Sequence, residues 1–254
     1  MAKPAFIRST ILANHGFTGV FTLRQGGISS APFDEQNYGS GLGDPDSNIE
    51  HNLHRLIKAA ALPSKPHQAI QIHQADLLWC NGQGHMHQQH ADILISNQAR
   101  TAVAVRVADC LPVLLADPKT EMIAAVHAGW RGTAAGIVKH AVRSMLNHGV
   151  KRKNLLAVLG PCIGPCCFAI GNETATALEQ STGGATNCIS RTSGIHADLP
   201  EINRLQLIES GITGVHIETI TACTACDSER FFSFRRDGKR TGRHLAVVAT
   251  PLRT

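Results

Sequence analysis

His73, Cys110 and His127 each close or border an apolar run, in QIHQADLL, AVRVADCLPVLLAD and MIAAVHAGWRG. Two imidazoles and a thiolate converging on one point suit zinc, and three protein ligands in place of four leave a coordination position open for chemistry. Convergence of the three would therefore make this chain an enzyme. Each also has a plainer explanation alone. Cys110 reads as a small buried hydrophobe, and a histidine alternating with Ile70 and Ile72 is most often a hydrogen-bonded core residue. The same donors also fit a single blue-copper centre, or a cysteine hydrolase with Cys110 as nucleophile and His127 as base.

The neighbours of these residues supply further chemistry. Asp109 adjoins Cys110, and Gln71 lies two residues before His73, hence on the same strand face; both are candidates to polarise substrate or orient a ligand, with simple hydrogen bonding at a strand end as the alternative. His127 opens a glycine-flanked turn into a helix, where Gly129, Gly132 and free backbone N–H groups favour an anion and Arg131 adds a planar cation suited to phosphate. A packing turn with a solvated arginine fits the same spacing. Arg24 and Asn37, in the glycine-rich stretch TLRQGGISSAPFDEQNYGSGLGD, are candidate substrate contacts on a long loop. Arg235, with Arg236, Lys239, Arg240 and Arg243, forms either a solvated basic hairpin or a second phosphate-recognition element.

Two other groups are metal-competent by type. His85, His87 and His90 crowd the segment CNGQGHMHQQH, which reads as a solvated loop. Cys223 and Cys226 make a CxxC that could join Cys162, Cys166 and Cys167, although the second cluster lacks the spacing of a zinc ribbon.

These residues need a scaffold of strands. Apolar runs at 17–24, 102–107, 111–116, 122–126, 155–159 and 215–220 read as strands, the interior ones buried on both faces. Only the short DPKT turn separates the runs ending at Ala116 and starting at Met122, so an antiparallel hairpin and a mixed sheet are expected. Ser47 and Glu50 have capping-box spacing ahead of a helix that ends before Pro63. Ala134, Ile137, Val138, Ala141, Val142, Met145 and Leu146 form one face of the strongest helix, which starts after the Gly132 turn and is stopped by Gly149. Asp198 and Glu201 cap a third helix, stopped by Gly211. The segment 180–196 reads as a surface loop. The whole of 1–254 is expected to form one α/β (α+β) domain.

The 254 residues suffice to bury a core without staples, so the eight cysteines are read as mostly reduced thiols of a cytoplasmic protein. Scattered basic residues giving a net charge of +5, with only 4% aromatics, argue against nucleic acid and for anionic small molecules. No run is long and apolar enough for a membrane helix. A monomer is expected.

The chosen segments resemble the motif set of the YfiH family, also called laccase-domain or polyphenol-oxidase proteins, from about Val20 to His244. The resemblance rests on TLRQGGIS, QNYGSGLGD, LPSKP followed by QIH, ADCLPVLLADP, HAGWRGTAAGIV, GPCIGPCCFAIGNE and FFSFRRDGKRTGR. It implies a YfiH/CNF-like single domain of mixed β-sheets sandwiched between helices, with zinc held by His73, Cys110 and His127. It also implies phosphorolysis of purine nucleosides (adenosine, inosine and S-methyl-5'-thioadenosine) by inorganic phosphate, with adenosine deamination. Copper-dependent polyphenol oxidation is an alternative that the resemblance carries. So is a non-catalytic or peptidoglycan-editing protein that keeps the metal pocket. Two positions depart from the family pattern: Gln74 stands where glycine usually follows the first histidine, and Leu53 where an arginine usually follows the asparagine matching Asn52.

Overall fold

The computed structural model describes residues 3–184 and 186–252. Its strands are β1 (Phe6–Arg8), β2 (Thr18–Thr22), β3 (Gln68–Ile70), β4 (Leu77–Trp79), β5 (Met86–His90), β6 (Ile93–Ser96), β7 (Ala102–Val107), β8 (Leu111–Ala116), β9 (Ile123–Ala128), β10 (Leu156–Leu159), β11 (Ile189–Ser190), β12 (His196–Ala197), β13 (Ile217–Thr219) and β14 (His244–Ala249). Its helices are α1 (Thr10–Asn14), α2 (Asp46–Ala60), α3 (Trp130–Ala134), α4 (Ile137–Asn147), α5 (Asn172–Ser181), α6 (Leu199–Glu209) and α7 (Phe234–Asp237).

Two sheets stack between helices. One has the order β1-β2-β14-β7, and the other is mixed, with the order β13-β10-β8-β9-β6-β4. The alternation of side chains along each strand explains the layering. Leu245 and Val247 of β14 face Leu53, Leu56 and Ala60 of α2, whereas Ala246 and Val248 point the other way, toward Leu114 and Ala116 of β8 and Ile123 and Ala125 of β9. The opposite face of the second sheet, with Leu111, Val113, Leu115, Ala124 and Val126, packs against Ile137, Val138, Ala141, Val142 and Met145 of α4. Central strands buried on both sides account for the uninterrupted apolar runs. Mixed sheets between helices, as the resemblance implied, describe the fold. Among the described residues, no helix is long and apolar enough to cross a membrane.

The expected hairpin is β8 with β9, antiparallel, with Pro112 opposite His127 and Leu111 opposite Ala128. Asp198 caps α6 as expected, its side chain accepting from the Glu201 amide at 2.9 Å. Four expectations need correction. Helix α2 starts at Asp46 behind Pro45, with no side-chain cap, so Ser47 lies inside its first turn. The turn at Gly132 is itself helical: α3 occupies Trp130–Ala134, and Gly136, with φ 72°, separates it from α4. The segment 80–90 contains β5, which pairs parallel with β3. The segment 180–196 holds the end of α5 and β11; Ala185, inside it, lies outside the described residues. Weak apolar periodicity hid α5, whose buried residues are Ala175 and Leu178.

Candidate active site and metal centre

Cys110 precedes β8, His127 lies near the end of β9 and His73 follows β3, so the β8–β9 register brings the first two side by side. The donor atoms of His73, Cys110 and His127 all lie within 4.8 Å of one another. Gly129 lets them meet: a Cβ there would stand 3.1 Å from Cys110 Sγ and 3.3 Å from the His73 ring.

Asp92, fully buried at the head of β6, organises the cluster. Its carboxylate accepts the backbone amides of Ile72, His73 and Gln74 at 3.0–3.1 Å, which holds His73 at a φ of 60°. It also accepts His127 Nδ1–H at 2.6 Å, so Nε2 is the nitrogen of His127 left for a ligand. A carboxylate behind a histidine sets the tautomer and raises its basicity as a metal ligand. Burial opposes charge on Cys110, yet the adjacent His127 and His73 pull its thiol down to about 6. Burial likewise opposes charge on His127, but Cys110 and Asp92 hold it up at about 9. A thiolate facing two imidazoles, one with a fixed tautomer, is a donor set that fits zinc.

The cluster forms the floor of a cavity of about 460 Å³. Three guanidinium groups line it. Arg106 and Arg243 lie close enough that burial, and then Arg243, depress the pKa of Arg106. Burial lowers Arg243 as well, while the charges of Cys110 and Asp109 act in the opposite direction. Arginine stays protonated in proteins, so the two are neighbouring half-buried cations. Arg235 is anchored by Nη1–H donation to the carbonyls of Cys167 and Ala169 and stands over Phe168 at 5.4 Å. Leu42, Ile163, Phe168 and Phe234 supply an apolar wall, and Phe234, at 46% exposure, marks the rim.

The structure sorts the sequence candidates. Gln71 lines the cavity and exchanges two hydrogen bonds of 2.8 Å with the backbone of Arg106, so it fixes that arginine's strand. Asp109 lines it too, accepting from Thr224 Oγ1–H and the Arg235 amide, both at 2.6 Å. Asn37 is buried outside the cavity; it binds the Gly39 and Arg243 amides and thereby shapes two lining residues. Arg24 is remote from the cluster, paired with Asp34 in a separate cleft. Arg131 is exposed over the Trp130 ring, and neither it nor Gly132 lines the cavity, because the turn they occupy closed into α3.

The two departures from the family pattern also find their places. The positive φ belongs to His73, leaving Gln74 in a conformation open to any residue, and Leu53 is a buried core contact of α2.

Asp92, Arg106 and Phe234 escaped the sequence reading. Arg106 left a signal, a charge inside the apolar alternation AVAVRV. Outside this cavity, His67 joins His85 and His87, with His67 Nδ1 and His87 Nε2 2.8 Å apart, a grouping that required the β3–β5 pairing. His90 stays apart from it.

A family model described as "Multi-copper polyphenol oxidoreductase laccase" matches residues 18–251. The chain is 37% identical over 236 residues to purine nucleoside phosphorylase YfiH of Escherichia coli, covering 92% of this chain and 93% of that protein. It is 32% identical over 246 residues to purine nucleoside phosphorylase YlmD of Geobacillus stearothermophilus, covering 92% and 90%. The crystal structure of that YlmD superposes with a TM-score of 0.88, at 30% identity, over 98% of this chain and 97% of the other.

Proposed function

Because this chain belongs to the laccase-domain family that includes YfiH and YlmD, we propose that it is a zinc-dependent purine nucleoside phosphorylase. One observation carries the reading: a two-histidine, one-cysteine donor group lies in the same cavity as the adjacent cations Arg106 and Arg243. Neighbouring half-buried cations are stabilised by an anion, and phosphorolysis needs inorganic phosphate held beside the ribose.

In this reading His73, Cys110 and His127 hold the zinc. When bound, zinc supplies Lewis acidity and lowers the pKa of water. Arg243 commits Nη1–H to the carbonyls of Thr241 and Gly242 and presents the rest of its fork, with Arg106, to phosphate. Phe168 and Phe234 offer aromatic faces to the purine, and Arg235 stands at the same wall. Asp109 and Gln71 act as positioning residues, the first for Arg235 and the second for Arg106. Gly129 allows the close approach at the cluster. Arg24 and Asn37 contribute through the surrounding loops, and Arg131 and Gly132 through α3, none of them by touching substrate.

Adenosine, inosine and S-methyl-5'-thioadenosine fit the proposal as substrates, with adenosine deamination as a phosphate-independent activity of the same cavity. Residues 1–254 act as one cytoplasmic domain. Copper oxidation of phenols draws less support, since reducing dioxygen to water takes four electrons and one His₂Cys group suits a single ion.

The test is incubation of zinc-loaded protein with adenosine, with and without phosphate. Phosphate-dependent release of adenine and ribose 1-phosphate is expected, falling to background in Cys110→Ala. Undiminished turnover in that variant overturns the proposal.

A further inference from the structure

Four cysteine sulfurs, on Cys166, Cys167, Cys223 and Cys226, lie within 4.8 Å of one another, away from the cavity cluster. Topology assembles them. Strands β10 and β13 are parallel neighbours, with Leu159 opposite Thr219, so the loops that leave their C-terminal ends emerge together. The backbone pairing continues past the strands: Cys162 lies opposite Cys223 in parallel register, and the Thr224 amide donates to the Cys162 carbonyl at 3.0 Å. Gly164 permits the approach, since a Cβ there would stand 3.3 Å from Cys223 Cβ and 3.4 Å from Cys166 Sγ. Its amide donates to Cys223 Sγ at 3.2 Å, the kind of backbone contact that stabilises a thiolate. Cys162 is excluded, being buried and directed to the Ile163 carbonyl.

The spacing of the sulfurs discriminates between occupants. Cys226 Sγ lies 3.5 Å from Cys166 Sγ and 3.3 Å from Cys167 Sγ, far beyond a disulfide bond. Zinc–sulfur bonds of about 2.3 Å in a tetrahedron place the sulfurs about 3.8 Å apart, close to this arrangement. We propose that Cys166, Cys167, Cys223 and Cys226 form a second, tetrathiolate zinc site that clasps the loop after β10, which carries Ile163 and Phe168 of the cavity wall, to the loop after β13. Four protein ligands leave no open position, so the site is structural.

The clasp bears on the cavity through two short paths. Thr224, between the two cysteines of the CxxC, donates to Asp109, and the carbonyl of Cys167 anchors Arg235. Ile163 and Phe168, on either side of the first cysteine pair, line the cavity directly.

The test is zinc content by mass spectrometry and zinc-edge X-ray absorption on protein purified under reducing conditions. The wild type is expected to hold about two zinc ions per chain with about 2.5 sulfurs each, the average of a tetrathiolate and a one-sulfur site. Cys166→Ser/Cys226→Ser should retain about one zinc with about one sulfur, and Cys110→Ala about one zinc with about four. The two variants separate failure of this site from failure of the cavity site. About one zinc with about one sulfur in the wild type overturns the proposal, as does iron in place of zinc or a disulfide among the four cysteines. The wild-type spectrum decides even where the double variant does not fold.

Discussion

The two groups of soft donors differ in composition, in what holds them and in what they leave open. His73, Cys110 and His127 mix nitrogen with sulfur, depend on the carboxylate of Asp92 and open into a cavity lined with cations. The four cysteines have one donor type, support from backbone amides, and no place for a further ligand once a tetrahedral ion is bound. Three ligands beside an anion-attracting cavity suit chemistry, and four ligands between two loops suit cross-linking. The donor count, read with the surroundings, separates the roles better than residue type alone.

The largest expected effect tests whether the open site uses its cations. Arg243→Ala should lower kcat/KM for phosphorolysis by about 10²–10³-fold, while deamination, which consumes no phosphate, loses much less. Equal losses in both would show that Arg243 merely supports the pocket. Asp92→Asn removes the charge that organises the open site and leaves the four cysteines untouched. Zinc affinity at the cavity should weaken by about 10–100-fold, measured by competition with a chromophoric chelator, with the tetrathiolate unaffected.

Proton competition sharpens the contrast further. Zinc at the open site displaces the proton that His127 retains up to about 9. Apparent affinity should therefore fall about tenfold per pH unit as pH drops from 9, and more steeply below about 6, where Cys110 also takes up a proton. A pH-independent affinity over that range would contradict the paired charges of Cys110 and His127. The smallest effect marks the limit of the cavity: Arg131→Ala, a surface change, should alter phosphorolysis by no more than about twofold. A larger loss would return the HAGWRG turn to the substrate site.

Much of the scaffold was legible because central strands and amphipathic helices carry strong periodicity. Ala102–Val107, Leu111–Ala116 and the apolar face of α4 announce themselves through residue type. Helix α5 did not, since polar and small residues dominate Asn172–Ser181 and leave only Ala175 and Leu178 buried. The metal-competent residues were visible by type, but their support was not. Asp92 looks like any acidic residue before a strand, and it becomes central only because β6 pairs with β9 and delivers it to His127. In the HAGWRG motif strand, turn and helix follow in the expected order, but the helix starts at Trp130, ahead of the expected turn at Gly132, which leaves Gly132 inside α3 and Arg131 facing solvent.

By itself, the sequence determined which residues could bind a metal and which runs must be buried, because donor chemistry and side-chain periodicity are local properties. Tertiary structure decided the groupings. Antiparallel register set Cys110 beside His127, parallel register joined Cys166 and Cys167 to Cys223 and Cys226, and the antiparallel pairing of β14 with β7, His244 opposite Val107, brought Arg243 beside Arg106. These are distances between segments far apart in the chain, fixed by strand pairing and burial, and no local pattern encodes them.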